Sequence, residues 1–267
     1  MKAIEIHEHM KKKGTWVNWN STTDYFHAGD PNKEITSIAV AWQGRTDALK
    51  KAAEMGCDMF ITHEQIEYPE QQVARKDEKQ PYQIAKEKFI KDSGIVIYRC
   101  HDVWDRVPEI GIVHAWGKYL GFTDKIADGD PHTEAVYKLP PKTTLGELAD
   151  HVVTKTKPLG QRAVNIIGDP KTKVFKVGVG CGAGVDMPLL MKLGADVIVA
   201  TEDSMRYWER GSWALDIGLP LVIVNHTTAE EPGLMQLAKY LTDQFGVKAT
   251  FLEQGAIFQT VGTAGLV

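Results

Sequence analysis

The chain has only three cysteines, Cys57, Cys100 and Cys181, which lie far apart and form no CxxC pair. That excludes a disulfide framework and a thiolate metal knuckle. Each sits in or beside an apolar segment, where a free thiol packs as a small hydrophobe, so a reducing, cytoplasmic setting is expected. Long hydrophobic runs are missing too. None approaches the roughly 20 residues that a membrane helix needs, and Met1 to Lys13 lacks the apolar centre of a signal peptide. Nor is there a basic excess. The 31 Lys and Arg against 35 Asp and Glu give a formal net charge of −4, without the footprint of a nucleic-acid binder. The short run Lys11 to Lys13 reads as a solvated helix face. What is present is an ordinary globular balance, 43% hydrophobic and 25% charged over 267 residues. That is enough for one large domain or two small ones.

The informative feature is an internal repeat. Residues 35–64 read ITSIAVAWQGRTDALKKAAEMGCDMFITHE and residues 175–202 read FKVGVGCGAGVDMPLLMKLGADVIVATE. Both run apolar strand, turn, helix, Gly-x-Asp, apolar strand, and an end with Thr and Glu. Gly56-Cys57-Asp58 matches Gly194-Ala195-Asp196, and Asp47 and Asp186 fall at the expected helix starts. The next stretches match as well. Each is a buried strand ending in His-x-x-x-acid, His101 with Asp105 and His226 with Glu230. Two copies of one unit therefore occupy about 36–122 and 174–246. The expected fold class is α/β, two similar lobes with mostly parallel sheets, divided as 1–122 and 123–267. Between the copies, a strand, a helix and a strand are expected, with Thr144 and Glu147 as the capping box of the helix.

Ligands of open α/β sheets sit beyond the carboxyl ends of the strands. There stand His63 and Glu64, His101 and Asp105, Glu202 and Asp203, and His226 and Glu230. Imidazoles and carboxylates without thiolates suit a borderline divalent metal, and zinc, manganese, iron, cobalt and nickel all remain open. Carboxylates bridge paired ions. Asp105 and Glu230, related by the repeat, are the natural bridging pair, with His63 and His226 as terminal ligands and Glu64 as a further donor. His101 is read as a ligand, an orienter of a ligand or a catalytic proton shuttle. Trp104, beside Asp105, is a candidate wall of the site. Tyr68, Arg45 and Arg206 are candidates to face substrate.

The run Gly178-Val-Gly180-Cys-Gly182-Ala-Gly184 has three readings. It is tight packing, a backbone cradle in which Gly180 and Gly182 meet a substrate anion, or a loose dinucleotide fingerprint with Glu202 at the ribose-binding distance.

From about Trp19 onward the sequence resembles the NGG1-interacting-factor-3-like family, whose members are also called GTP cyclohydrolase 1 type 2 homologues. The resemblance rests on residues 56–64, on His101-x-x-x-Asp105, on the glycine-containing stretch 174–196 and on His226-x-x-x-Glu230. It implies two α/β lobes with a dinuclear metal centre in the cleft between them, assembled as a homohexameric ring. It also places His63, Asp105, His226 and Glu230 at ligand positions. This chain departs from the family pattern at Glu64, where His-His is usual. It departs again at Thr201-Glu202-Asp203, and at Tyr207 or Trp208, where a histidine is usual. The expected function is metal-dependent hydrolysis of a nucleotide-like or phosphate-bearing small molecule, with two divalent ions as cofactors. The alternatives are a non-catalytic, metal-stabilised ring or partner-binding scaffold, and a dinucleotide-binding oxidoreductase.

Overall fold

Apolar runs of four or five residues become the strands, since each can be buried on both faces of a sheet only when helices cover it. The structure, a computed structural model, describes residues 1–67, 79–129, 133–206, 208–262 and 265–266. Tyr68 and Tyr207 lie outside the described residues. The helices are α1 (Ala3–Lys13), α2 (Thr46–Glu54), α3 (Pro81–Ser93), α4 (Asp102–Asp105), α5 (Ile112–Tyr119), α6 (Leu145–Thr156), α7 (Met187–Lys192), α8 (Glu209–Ile217) and α9 (His226–Phe245). The strands of the two main sheets are β1 (Phe26–Ala28), β2 (Ser37–Ala41), β3 (Met59–Thr62), β4 (Val96–Arg99), β5 (Lys125–Asp128), β6 (Glu134–Lys138), β7 (Asn165–Ile167), β8 (Lys176–Gly180), β9 (Val197–Thr201), β10 (Leu221–Val224) and β11 (Lys248–Leu252). None of the described helices is long and apolar enough to cross a membrane.

The chain forms two units that interleave in sequence. One comprises Met1–Trp104 and Leu234–Gln254, the other Asp105–Gly233 and Gly255–Val267. In the first unit the sheet order is β1-β4-β3-β2-β11. Strands β4, β3, β2 and β11 are parallel neighbours, and β1 is an antiparallel edge. Ile38, Val40, Met59, Phe60, Ile61, Val96 and Ile97 are fully buried. Helix α2 lays Ala48, Leu49 and Ala52 into that core. Its N-cap is Arg45, and Asp47 in the first turn accepts from the Arg45 guanidinium at 2.5 Å instead of capping the helix.

In the second unit the order is β5-β6-β8-β9-β10-β7. Only β8-β9 and β9-β10 pair in parallel; β5-β6, β6-β8 and β10-β7 are antiparallel. The expectation of a mostly parallel sheet is corrected here to a mixed one. The cause is the intervening segment, which supplies two strands before its helix rather than one. A short connection between β5 and β6 reaches back only to an antiparallel neighbour. Helix α6 is capped as expected: the Thr144 hydroxyl accepts from Glu147 N–H at 3.2 Å, and Glu147 accepts from Thr144 N–H at 2.8 Å. Asp186 caps α7, accepting from Leu189 N–H at 2.9 Å.

Each Gly-x-Asp does the same local work. Gly56 and Gly194 turn the chain at φ +69° and +100°, a region that other residues enter at a cost. Two residues on, the aspartate ties down the start of the preceding strand. Asp58 accepts from Thr36 N–H and Ser37 N–H at 2.8 and 3.2 Å. Asp196 accepts from Phe175 N–H and Lys176 N–H at 2.9 and 3.0 Å. A Cβ at residue 56 would meet nothing within 4 Å. Gly56→Ala is therefore expected to cost only the backbone term, about 1–2 kcal/mol in urea unfolding. A loss below a few tenths of a kcal/mol would contradict the left-handed turn.

Candidate metal centre

Strand β3 stops at Thr62, so His63 emerges at its carboxyl end, fully buried. Its Nδ1 lies 3.1 Å from the Cys100 carbonyl oxygen. A carbonyl only accepts, so Nδ1 carries the proton and Nε2 presents a lone pair. Arg99, the last residue of β4, donates through Nε to the His63 carbonyl at 2.8 Å and through Nη2 to Glu64 Oε2 at 3.2 Å. The neighbouring turn hangs on Asp24, which is 1% exposed. Its carboxylate accepts from the N–H groups of His101, Asp102 and Val103 at 2.7, 2.9 and 2.8 Å. Burial raises the pKa of Asp24, and these three bonds oppose the rise. His101 Nδ1 lies 3.0 Å from Asp102 Oδ1. The His101 ring holds the Asp102 carboxyl far below its ordinary range, helped by the Thr22 hydroxyl and Thr23 N–H. Within this unit His63, Glu64 and His101 each offer one ligand atom, all within 4.8 Å of one another. Trp104 is fully buried and packs against Tyr240, with ring centroids 5.4 Å apart.

In the second unit His226 opens α9 at the carboxyl end of β10. Asp203 Oδ2 sits 2.8 Å from its Nδ1, and Glu230 Oε1 sits 2.8 Å from its Nε2. Burial works against a charged His226, but Glu230 and Asp203 outweigh it and raise its pKa well above the ordinary value. Glu230 is 3% exposed. Gly182, at φ +71°, lies against the pair; a Cβ there would come within 3.2 Å of His226 Nε2 and 3.5 Å of Glu230 Oε1. Cys181 stays a thiol, because burial and the carboxylates of Glu230, Asp105 and Asp203 push its pKa up. Asp105 closes α4, half-buried.

The donors of each unit suit a divalent ion. Buried His63 and partly buried His226 each have Nδ1 engaged by an oxygen, one a carbonyl and one a carboxylate. This is how metal-bound imidazoles are generally oriented. The remaining candidates fall elsewhere. Glu202 accepts from His226 N–H at 2.6 Å and from Asn225 Nδ2 at 3.2 Å, so its carboxylate holds the start of α9. Gly180 lies against Val185, whose methyls would be 3.1 Å from an added Cβ, and Gly178 lies equally close to Leu190 and Ala195. Arg45 is paired with Asp47, and Arg206 turns the chain at φ +45°. Sequence reasoning placed Asp203 at a strand end without giving it a role. It missed Asp24, Asp102 and Arg99 altogether, because their partners are backbone groups and side chains that no local spacing reveals.

Comparison with known proteins places the chain in a family. The chain matches the Duf34/NIF3 (NGG1p interacting factor 3) family profile over residues 8–256. A protein of Clostridium perfringens called GTP cyclohydrolase 1 type 2 homolog is 24% identical over 231 residues, 84% of each chain. One of the same name from Clostridium acetobutylicum is 26% identical over 224 residues, 80% of this chain and 79% of the relative. Among solved structures, the protein ybgI superposes with a TM-score of 0.77 at 19% identity, covering 94% of this chain and 98% of that one. A Bacillus cereus protein related to NIF3 gives 0.75 at 15% identity, covering 97% and 99%. Reduced HcgD from Methanocaldococcus jannaschii gives 0.71 at 20% identity, covering 95% and 98%. The chain belongs to the Duf34/NIF3 family.

Proposed function

We propose that this protein holds two divalent ions and acts as a hydrolase on a nucleotide-like or phosphate-bearing small molecule. The observation that carries the reading is the setting of the two histidines, each with Nδ1 beside an oxygen and each in a group of possible donor atoms within 4.8 Å of one another. Under it, His63 and His226 are terminal ligands, one from each half of an internal repeat. Asp105 and Glu230 are the bridging acids and Glu64 adds a harder donor. The repeat is supported by the matched Gly-x-Asp ties at Asp58 and Asp196. The paired lobes, the cleft between them and the ring-shaped hexamer follow the family resemblance. The substrate class follows the names of the relatives, GTP cyclohydrolase 1 type 2 homologs.

Bound divalent ions supply Lewis acidity and a water that is acidic near neutral pH. The chain's own residues do the rest. The Cys100 carbonyl and Asp203 keep each Nδ1 end of its ring occupied. Burial keeps bulk water from His63. Gly182 leaves room beside His226 and Glu230 that any side chain would fill. The dinucleotide alternative is not favoured, since Glu202 is engaged at α9 and Gly178 and Gly180 are packed against side chains.

Metal analysis of protein purified without chelators is expected to find about two equivalents of divalent transition metal. Less than one equivalent would sink the reading. With two bridging acids, Asp105→Ala should remove both ions; loss of a single ion would refute bridging. Against a panel of esters and nucleotides, Glu230→Gln should abolish whatever turnover the wild type shows. A wild type that loads both ions but turns over nothing would favour the scaffold alternative.

A further inference from the structure

In the second unit, the segments that follow α5 and β6 enclose, together with α6, an open cavity of about 450 Å3. That is within the size range of small-molecule sites. Its floor is apolar, formed by buried Phe122, Leu139 and Leu148, which belong to the core of the unit. The His151 ring is stacked on Phe122, centroids 5.9 Å apart and planes 26° from parallel. His151 Nε2 lies 2.6 Å from the Leu120 carbonyl oxygen, so that nitrogen carries the proton and Nδ1 is the acceptor of the neutral ring.

Two opposite charges line this cavity without pairing. The Lys142 ammonium makes no ion pair or hydrogen bond among the described residues. Glu147 Oε2 accepts from the Thr144 N–H and hydroxyl at 2.8 and 3.0 Å, while Oε1 makes no bond among the described residues. Lys142 is also held under strain. Pro140 to Thr143 form a turn, closed on the Pro140 carbonyl by the Thr143 N–H at 3.4 Å and the Thr143 hydroxyl at 2.8 Å. Lys142 takes the third position at φ +71°, where glycine or asparagine is the usual occupant. A lysine there costs the fold backbone strain and returns no contact to it, and such outliers concentrate where ligands are clamped.

A simple anion would meet Lys142 but be repelled by Glu147, and a simple cation the reverse. A zwitterion satisfies both, and an apolar side chain on it covers the floor. We propose that this cavity binds a free α-amino acid with a large apolar side chain. Its carboxylate meets Lys142, its ammonium meets Glu147 Oε1, and its side chain lies against Phe122 and Leu148. The site is built from residues of the second unit alone and does not depend on the metal reading.

The test is calorimetric titration of the full-length protein with L-phenylalanine as the probe, with amide NMR shifts to locate it. Saturable binding below about 10 mM is expected, with shifts centred on residues 120–122 and 139–151. L-Phenylalaninamide lacks the carboxylate and 3-phenylpropanoate lacks the ammonium. Each should bind roughly tenfold more weakly, the scale of one lost charged hydrogen bond. Lys142→Gly should weaken phenylalanine by a similar factor yet melt no lower than the wild type, because the turn is relieved of strain. Glu147→Gln, which can still cap α6, should weaken phenylalanine but not 3-phenylpropanoate. Absence of saturable binding, shifts centred elsewhere, or unchanged affinity in Lys142→Gly overturns the site. Equal affinity for phenylalanine and 3-phenylpropanoate overturns the zwitterion. Each of these results leaves the two-ion reading as it stands.

Discussion

The bond from the His63 ring to the Cys100 carbonyl fixes more than one side chain. A buried imidazole with an undefined proton offers a lone pair or a donor at random, and only one of these suits a cation. The carbonyl belongs to the residue that follows β4, so the tautomer of a residue after β3 is set by the register of two adjacent strands. Sheet pairing thereby becomes chemical information. At His226 the same task falls to Asp203, delivered by a short 3-10 turn after β9. Backbone in one case and side chain in the other reach one result, an Nε2 with a defined role.

Holding so many charged groups out of water is costly unless each is paired. The structure answers with donors drawn from the backbone. Asp24 gathers three N–H groups from the turn that carries His101, and Glu202 takes the first N–H of α9. Neither acid is a ligand in the proposed metal centre. They hold in place the segments that carry His101 and His226, where a mobile loop would blur the spacing of the proposed donors.

Much of this was legible in the sequence because strand ends follow directly from apolar runs. His63, Glu64, His101 and His226 were placed by that reasoning, and α6 and α7 were capped where Thr144 and Asp186 predicted. The mixed character of the second sheet was not legible. β5, β6 and β7 are short edge or near-edge strands with weak alternation, and their direction is set by connection length and distant neighbours. β11 pairs in parallel with β2, more than two hundred residues away in sequence, and no local pattern announces such a partner. The glycine run misled for a related reason: a glycine that admits Leu190 or Val185 looks the same in sequence as one that admits a phosphate. The roles of Asp24, Arg99, Asp102 and Asp203 depend on partners brought close only by the folded chain.

One guanidinium, that of Arg99, holds both the carbonyl of His63 and the carboxylate of Glu64. Both side chains of the ion pair are mostly shielded from solvent, at 14% and 18% exposure. The fork geometry matters, since a lysine ammonium would not span the two acceptors in the same way. Positions 64 and 99 are thus joined in space. A chain that acquired the glutamate without the arginine would carry an unbalanced charge beside its fully buried His63, and one that kept the arginine beside a neutral residue would leave a cation without its carboxylate partner. The two positions should be found to covary across the family, as a single evolutionary character spread over two neighbouring strands.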